Sequence, residues 1–141
     1  MTNGFKAVGV SPCVGATGAT IGGGVGRLGG LHGLMIDAVS SFRMVLASGE
    51  LINVSSTSHP DLFYGMKGAG QLYGVIVETL FNTYPASNGG DFYNVDMVFA
   101  GSQLESALGV VNDIINLPQP GELALIVLFS QGTPDVSPAL P

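Results

Sequence analysis

Apolar and polar positions alternate most clearly in two short runs, Phe42–Ala47 and Leu51–Val54, on either side of Ser48-Gly49. Alternation with period two turns one face of each run toward a core, and the Ser-Gly turn between them predicts a β-hairpin. Tyr73–Tyr84 is rich in β-branched and aromatic residues and predicts a further strand. Gly74 inside it predicts a close approach of backbone. Phe5–Val10 predicts a short strand, ended by Ser11-Pro12 because the residue before proline is held extended. Between the hairpin and Tyr73, Ser58–Gly68 reads as one helix. Ser58 would cap it, Pro60 and Asp61 suit its first turn, Lys67 its last, and Gly68 a left-handed stop.

Pro85–Gly90, with the sequence PASNGG, breaks any regular element and sets a boundary. Beyond it, Phe92–Ala100 alternates like a strand. Gln103–Leu117 places Leu104, Ala107, Leu108, Val111, Ile114 and Ile115 at the spacing of an amphipathic helix. Ser102 would cap this helix with Glu105 as its capping-box partner, and Pro118 to Gly121 would stop it. Glu122–Ser130 reads as another strand. The expected class is α+β.

Ser11–Gly33, SPCVGATGATIGGGVGRLGGLHG, fits neither period. A glycine inside a helix or strand costs roughly 0.5–1 kcal/mol relative to alanine, so such a density needs a cause. Val14, Ile21, Val25, Leu28 and Leu31 interleave with the glycines, which separates the stretch from a polar Gly/Ser linker. Bare main chain lets N–H groups approach an anionic or planar polar ligand, and a structured ligand loop is the expectation. Gly24 to Gly29 formally fits G-x-G-x-x-G. The dinucleotide fingerprint requires a helix opening from it, and Gly33 stands where that helix would grow.

The 141 residues are enough for one ordinary domain. A formal charge of −6, with only Lys6, Arg27, Arg43 and Lys67 as cations, leaves no basic patch for nucleic acid or an anionic membrane. Charged residues make up 10%, against about 25% in typical domains. Mean hydropathy is +0.46. Much of the surface is therefore expected to be covered by more protein or by a cofactor. No apolar run reaches the ~18–20 residues of a membrane helix. The first residues show no signal-peptide pattern, and the compartment stays unassigned. Cys13 is the sole cysteine, which excludes an internal disulfide. His32 and His59 lack metal-ligand spacing, and no metal site is expected. Asp37, among Met35, Ile36, Ala38 and Val39, is expected to be partly buried, its carboxylate accepting backbone N–H bonds.

Four blocks carry a family resemblance: SPCVGATGATIGGGVGRLGGLHGLMIDAV, then RMVLASGELI, PDLFYGMKGAG and YGVIVET, in this order. Together they resemble the FAD-linked oxidases, with a PCMH-type FAD-binding domain of the vanillyl-alcohol-oxidase type. The likeness is closest to fungal berberine-bridge-enzyme-like oxidoreductases. It implies an incomplete chain. Residues 1–86 would be the second, C-terminal subdomain of the FAD-binding domain, mainly antiparallel sheet with helices. Residues 87–141 would be the first strand-helix-strand of an α+β substrate domain.

The resemblance also implies FAD as cofactor and a small organic substrate that gives a hydride to the flavin. By position in the motif, Val14, Gly15, Gly18, Ala19, Thr20, Gly22, Gly23, Gly24 and Gly26 would line the cofactor, and Gly74, Val75 and Ile76 its adenine side. An N-terminal FAD subdomain would supply the opposing phosphate loop. Some relatives bond a cysteine to the flavin, but Ser11 takes that place here. Cys13 is then expected to be a small buried thiol. No residue matches a catalytic motif of the family, and no G-x-S-x-G elbow is present. Tyr64, Tyr73, Tyr84 and Tyr93 are read as packing residues. Two other readings remain: a non-catalytic relic or interaction fragment keeping half the cleft, and a nucleotide-binding module unrelated to flavins.

Overall fold

The computed structural model describes residues 4–5 and 13–129. Its centre is a three-stranded antiparallel sheet in the order β3-β2-β4, with β2 at Val39–Val45, β3 at Leu51–Ser55 and β4 at Val75–Phe81. The expected hairpin forms, with Val45 opposite Leu51 and Ser41 opposite Ser55. Gly49 takes φ +85°, a region costly for residues with a Cβ, and Leu46 exchanges backbone bonds with Gly49 and Glu50 to close the turn. A second, two-residue ladder joins β1, Gly4–Phe5, to β5, Tyr84–Pro85. The predicted Tyr73–Tyr84 strand is thus two pieces. The remainder of Phe5–Val10 lies outside the described residues.

The inward faces of β2 and β3 supply Phe42, Met44, Ile52 and Val54, all buried. Ile36 and Val39 precede them, and Phe63 and Met66 of the helix Pro60–Ala69 cover them. Phe42 and Phe63 meet with ring centroids 6.1 Å apart and planes tilted by 55°. The helix begins with Pro60 in its first turn and breaks at Gly68, φ +105°, as the glycine signal implied. Its cap differs from expectation. His59 holds the N-cap position in the left-handed region, while the Ser58 hydroxyl donates to the Asn53 carbonyl.

On the outer face of the sheet, Arg43 and Glu78 pair across β2 and β4 at 3.2 Å, with half of each side chain in solvent. An exposed pair of this kind contributes about 0.2–1 kcal/mol. A double-mutant cycle on Arg43→Ala and Glu78→Ala, read by urea unfolding, is expected to give a coupling in the lower part of that range. It should fade further in high salt.

Residues 91–129 depart most from expectation. The amphipathic helix forms at Leu104–Ile115, led in by a short 3-10 turn at Gly101–Gln103 rather than by a Ser102 cap. The flanking strands do not form: residues 91–100 and 123–129 carry no ladder among the described residues. A strand is stabilised by its neighbour across the ladder, and neither segment has one here. The apolar side of the helix is correspondingly open, with Leu104, Leu108 and Ile115 exposed.

Candidate functional site

The glycine stretch folds as two short helices and the turns between and after them. We number the helices α1, Ala16–Ile21, and α2, Gly29–His32, with α3 at Pro60–Ala69 and α4 at Leu104–Ile115. Gly23 and Gly24 follow α1 at φ +109° and +73°. Their carbonyls accept from Ile36 N–H at 3.1 Å and Met35 N–H at 2.8 Å. The stretch is therefore strapped to the 3-10 turn Met35–Ala38 that leads into β2. The Asp37 carboxylate accepts from Leu34 N–H at 2.9 Å and fixes that turn, as anticipated, although Asp37 is exposed rather than partly buried.

The glycines divide by what a methyl group in place of their hydrogen would meet. At Gly24 it would lie 2.7 Å from Met35 Cβ, and at Gly70 it would lie 2.7 Å from Ile21 Cβ. Those two serve packing inside the chain. At Gly15 and Gly18 it would meet nothing within 4 Å, and at Gly22 only the Ala19 carbonyl oxygen at 3.7 Å. Val14, Gly15, Gly18 and Gly22 are exposed, and Ala19, Gly23 and Gly26 are half-buried. Thr20 is completely buried, its hydroxyl donating to the Ala16 carbonyl at 2.7 Å.

The loop is tied to the sheet by a pair that the sequence did not single out. Thr17 Oγ1 lies 3.1 Å from Thr79 Oγ1, joining α1 to β4. Val75, at 68% exposure, lies four residues back along β4, a distance of roughly 13 Å along a strand. Ile76 turns inward against the core. The close approach expected at Gly74 is to the chain itself. A Cβ there would strike the Val45 carbonyl oxygen and come within 2.8 Å of Met44 Cε.

A second unforeseen pair is His32 stacked on Tyr84, centroids 3.8 Å apart and planes within 5°. His32 Nε2 is buried without a hydrogen-bond partner. Tyr73 and Tyr84 therefore pack, whereas Tyr64 and Tyr93 are largely exposed. Cys13 is exposed, contrary to the expected buried thiol, because it precedes α1 where no element of the described chain covers it. Ser11 lies outside the described residues. The Arg27 guanidinium donates to Asn94 Oδ1, and Gly30 backs onto Gly121, so residues beyond the boundary touch the stretch at Arg27 and Gly30. Among the described residues no cluster of metal-ligating side chains occurs, and no helix is long and apolar enough to cross a membrane.

No protein-family model matches the chain. Similarity to known proteins is nevertheless extensive. The FAD-linked oxidoreductase azaG of Aspergillus niger is 45% identical over 118 residues, which is 82% of this chain and 24% of that protein. A chitooligosaccharide oxidase structure is 38% identical and superposes with a TM-score of 0.58, over 60% of this chain and 18% of that one. This chain belongs to the FAD-linked oxidase family. It spans about a quarter of the length of the curated relatives it matches. A glucooligosaccharide oxidase from Acremonium strictum, described with 6-S-cysteinyl, 8α-N1-histidyl FAD, is 32% identical with a TM-score of 0.56, over 61% of this chain and 18% of that one. A match of 118 residues cannot be contained in residues 1–86, so the likeness to FAD-linked oxidases continues past the Pro85–Gly90 boundary.

Proposed function

We propose that this chain forms one wall of the FAD cleft of a flavin-dependent oxidoreductase acting on a small organic substrate. The observation that carries the reading is the pair Gly15 and Gly18. Both are exposed and leave room for a side chain, yet neither has one. Gly18 lies inside α1, where a glycine costs stability that nothing within the described chain repays, and Gly15 is the N-cap of the same helix, so the bare surface serves a group from outside. Val14, Gly15, Gly18, Ala19, Gly22, Gly23 and Gly26 would hold the cofactor through main chain and small side chains. Thr20 and Gly24 would act behind them, Thr20 by keeping α1 in shape and Gly24 by admitting Met35. Val75 is open to the adenine side, while Gly74 and Ile76 support it from within the sheet.

When bound, FAD supplies the hydride acceptor for oxidation of the substrate. The part of this chain is to position it: Thr17–Thr79 fixes α1 against β4, and the Met35–Ala38 turn fixes the glycines that follow. In this reading residues 1–86 belong to the FAD-binding domain and residues 87–141 begin the substrate domain. An N-terminal FAD subdomain faces the loop and contributes the opposing phosphate contacts.

The visible absorption spectrum of the purified 141-residue chain, titrated with FAD, tests the reading. Weak binding without turnover is expected, because the chain offers a single wall. Gly18→Ala is expected to stabilise the chain by about 0.5–1 kcal/mol, as an exposed helical glycine should, while reducing the spectral change with FAD. A preference for ATP or a dinucleotide over FAD would favour an unrelated nucleotide module. A Gly18→Ala chain that binds FAD as the parent does would remove Gly18 from the wall.

A further inference from the structure

Asn53-Val54-Ser55 is an Asn-x-Ser/Thr triplet, and no other asparagine of the chain has Ser or Thr two residues on. Such a triplet, when its middle residue is not proline, is the acceptor sequence for an N-linked glycan. Asn53 sits on β3, an edge of the sheet, and is exposed, whereas Val54 beside it is completely buried. Successive side chains of a strand alternate between faces, so the Asn53 carboxamide stands away from the core that Val54 enters. The side-chain hydrogen bonds at Asn53 fall on its main-chain carbonyl, which accepts from Ser58 Oγ and His59 Nδ1, each at 3.0 Å. The face it stands on is polar. Asn53 lies opposite Arg43 and Arg43 opposite Glu78, and these three line a shallow groove of about 200 Å³ with Ser41, Phe42 and Leu80. Covering this row with apolar protein would strip water from both charges, at a cost their mutual attraction does not readily repay. A hydrated sugar beside them imposes no such cost.

We propose that Asn53 is an N-glycosylation site, with the glycan leaving the sheet beside the Arg43–Glu78 pair. The donor is an oligosaccharide carried on a lipid pyrophosphate. Asn53 Nδ2 forms a bond to C1 of the first sugar, and the C1–O bond to the pyrophosphate breaks. The lipid pyrophosphate leaves with that electron pair, and the amide gives up one proton. Nothing is oxidised or reduced. Ser55 supplies the hydroxyl, which shares a face with the Asn53 carboxamide in an extended chain. In the folded chain Ser55 Oγ accepts from Thr57 N–H at 3.2 Å and Ser58 N–H at 3.1 Å, and Val54 is held in the core. The transfer therefore belongs to the nascent chain, before the hairpin closes. Folding then leaves the modified side chain outside. The site does not depend on flavin binding.

Cell-free translation of the full 141-residue chain behind a cleavable secretory leader, with microsomal membranes present, provides the test. The processed, protease-protected chain is expected to carry one glycan. It is read as a mass increase that peptide N-glycosidase removes while converting Asn53 to aspartate. Asn53→Gln and Ser55→Ala should abolish the increase, and Ser55→Thr should keep it. Amide exchange at Ile52 and Val54 should be the same with and without the glycan. A processed parent chain that stays bare overturns the proposal. So does a glycan that survives in Asn53→Gln or is lost in Ser55→Thr. Loss of protection at Ile52 and Val54 on glycosylation would overturn the outward placement.

Discussion

Phe42→Ala is expected to lower the stability of this chain by about 3–5 kcal/mol, the usual cost of emptying a buried phenylalanine site. Phe42 is 1% exposed at the centre of β2, with Phe63 against its ring and Met44 and Val54 beside it. Phe63 and Met66 of α3 cover this part of the sheet, and few other side chains of the described residues can collapse into the space. Small domains are stable by only about 5–15 kcal/mol in total. The loss should move the urea midpoint, followed by far-ultraviolet circular dichroism, to near zero denaturant. Arg43→Ala, one position along on the opposite face, should leave the midpoint almost unchanged. Comparable losses at both positions would mean that the face assignment is wrong.

Gly74→Val should separate β4 from β2. Its Cβ would clash with the Val45 carbonyl oxygen, and that oxygen is fixed by the strand it belongs to. Met44 can swing aside, but a ladder carbonyl cannot without breaking its neighbours. Overpacking typically costs about 1–3 kcal/mol, and the branched side chain places this case at the upper end or beyond. Amide exchange should show Val45 and Ile76 losing protection while Ile52 and Val54 in the hairpin keep theirs. Protection retained at Ile76 would contradict the predicted clash. Gly74→Val and Gly18→Ala thus have opposite signs, although the sequence presents both simply as glycines in a conspicuous block.

That contrast marks the limit of what the chain's letters convey. The hairpin was legible because alternation and the Ser48-Gly49 turn agree. The stop of α3 was legible because Gly68 has the one side chain that accepts φ +105° freely. The cap of α3 was not, because Ser58 finds Asn53 at hand and spends its hydroxyl there. Which glycines pack and which stand open depends on Met35, Ile21 and Val45 arriving from elsewhere, and no local pattern encodes that. The pairs Thr17–Thr79 and His32–Tyr84 were hidden for the same reason. Beyond Gly90 the pattern was read correctly for the helix, whose bonds are internal. It failed for the strands, which pair with no edge of the described sheet. Family resemblance supplied what the residues could not: a reason to propose that the glycine block faces a flavin.

Among the described residues, the buried members of the principal core all lie between Ile36 and Met66. The polypeptide therefore never has to bring distant ends together to begin ordering itself, and the entropy lost in closing such short loops is small. A nucleus of the hairpin and α3 can assemble early and quickly, with the glycine stretch and β4 draped onto it afterwards. The surface proposed to meet the cofactor would thus be laid down last, on a foundation already set.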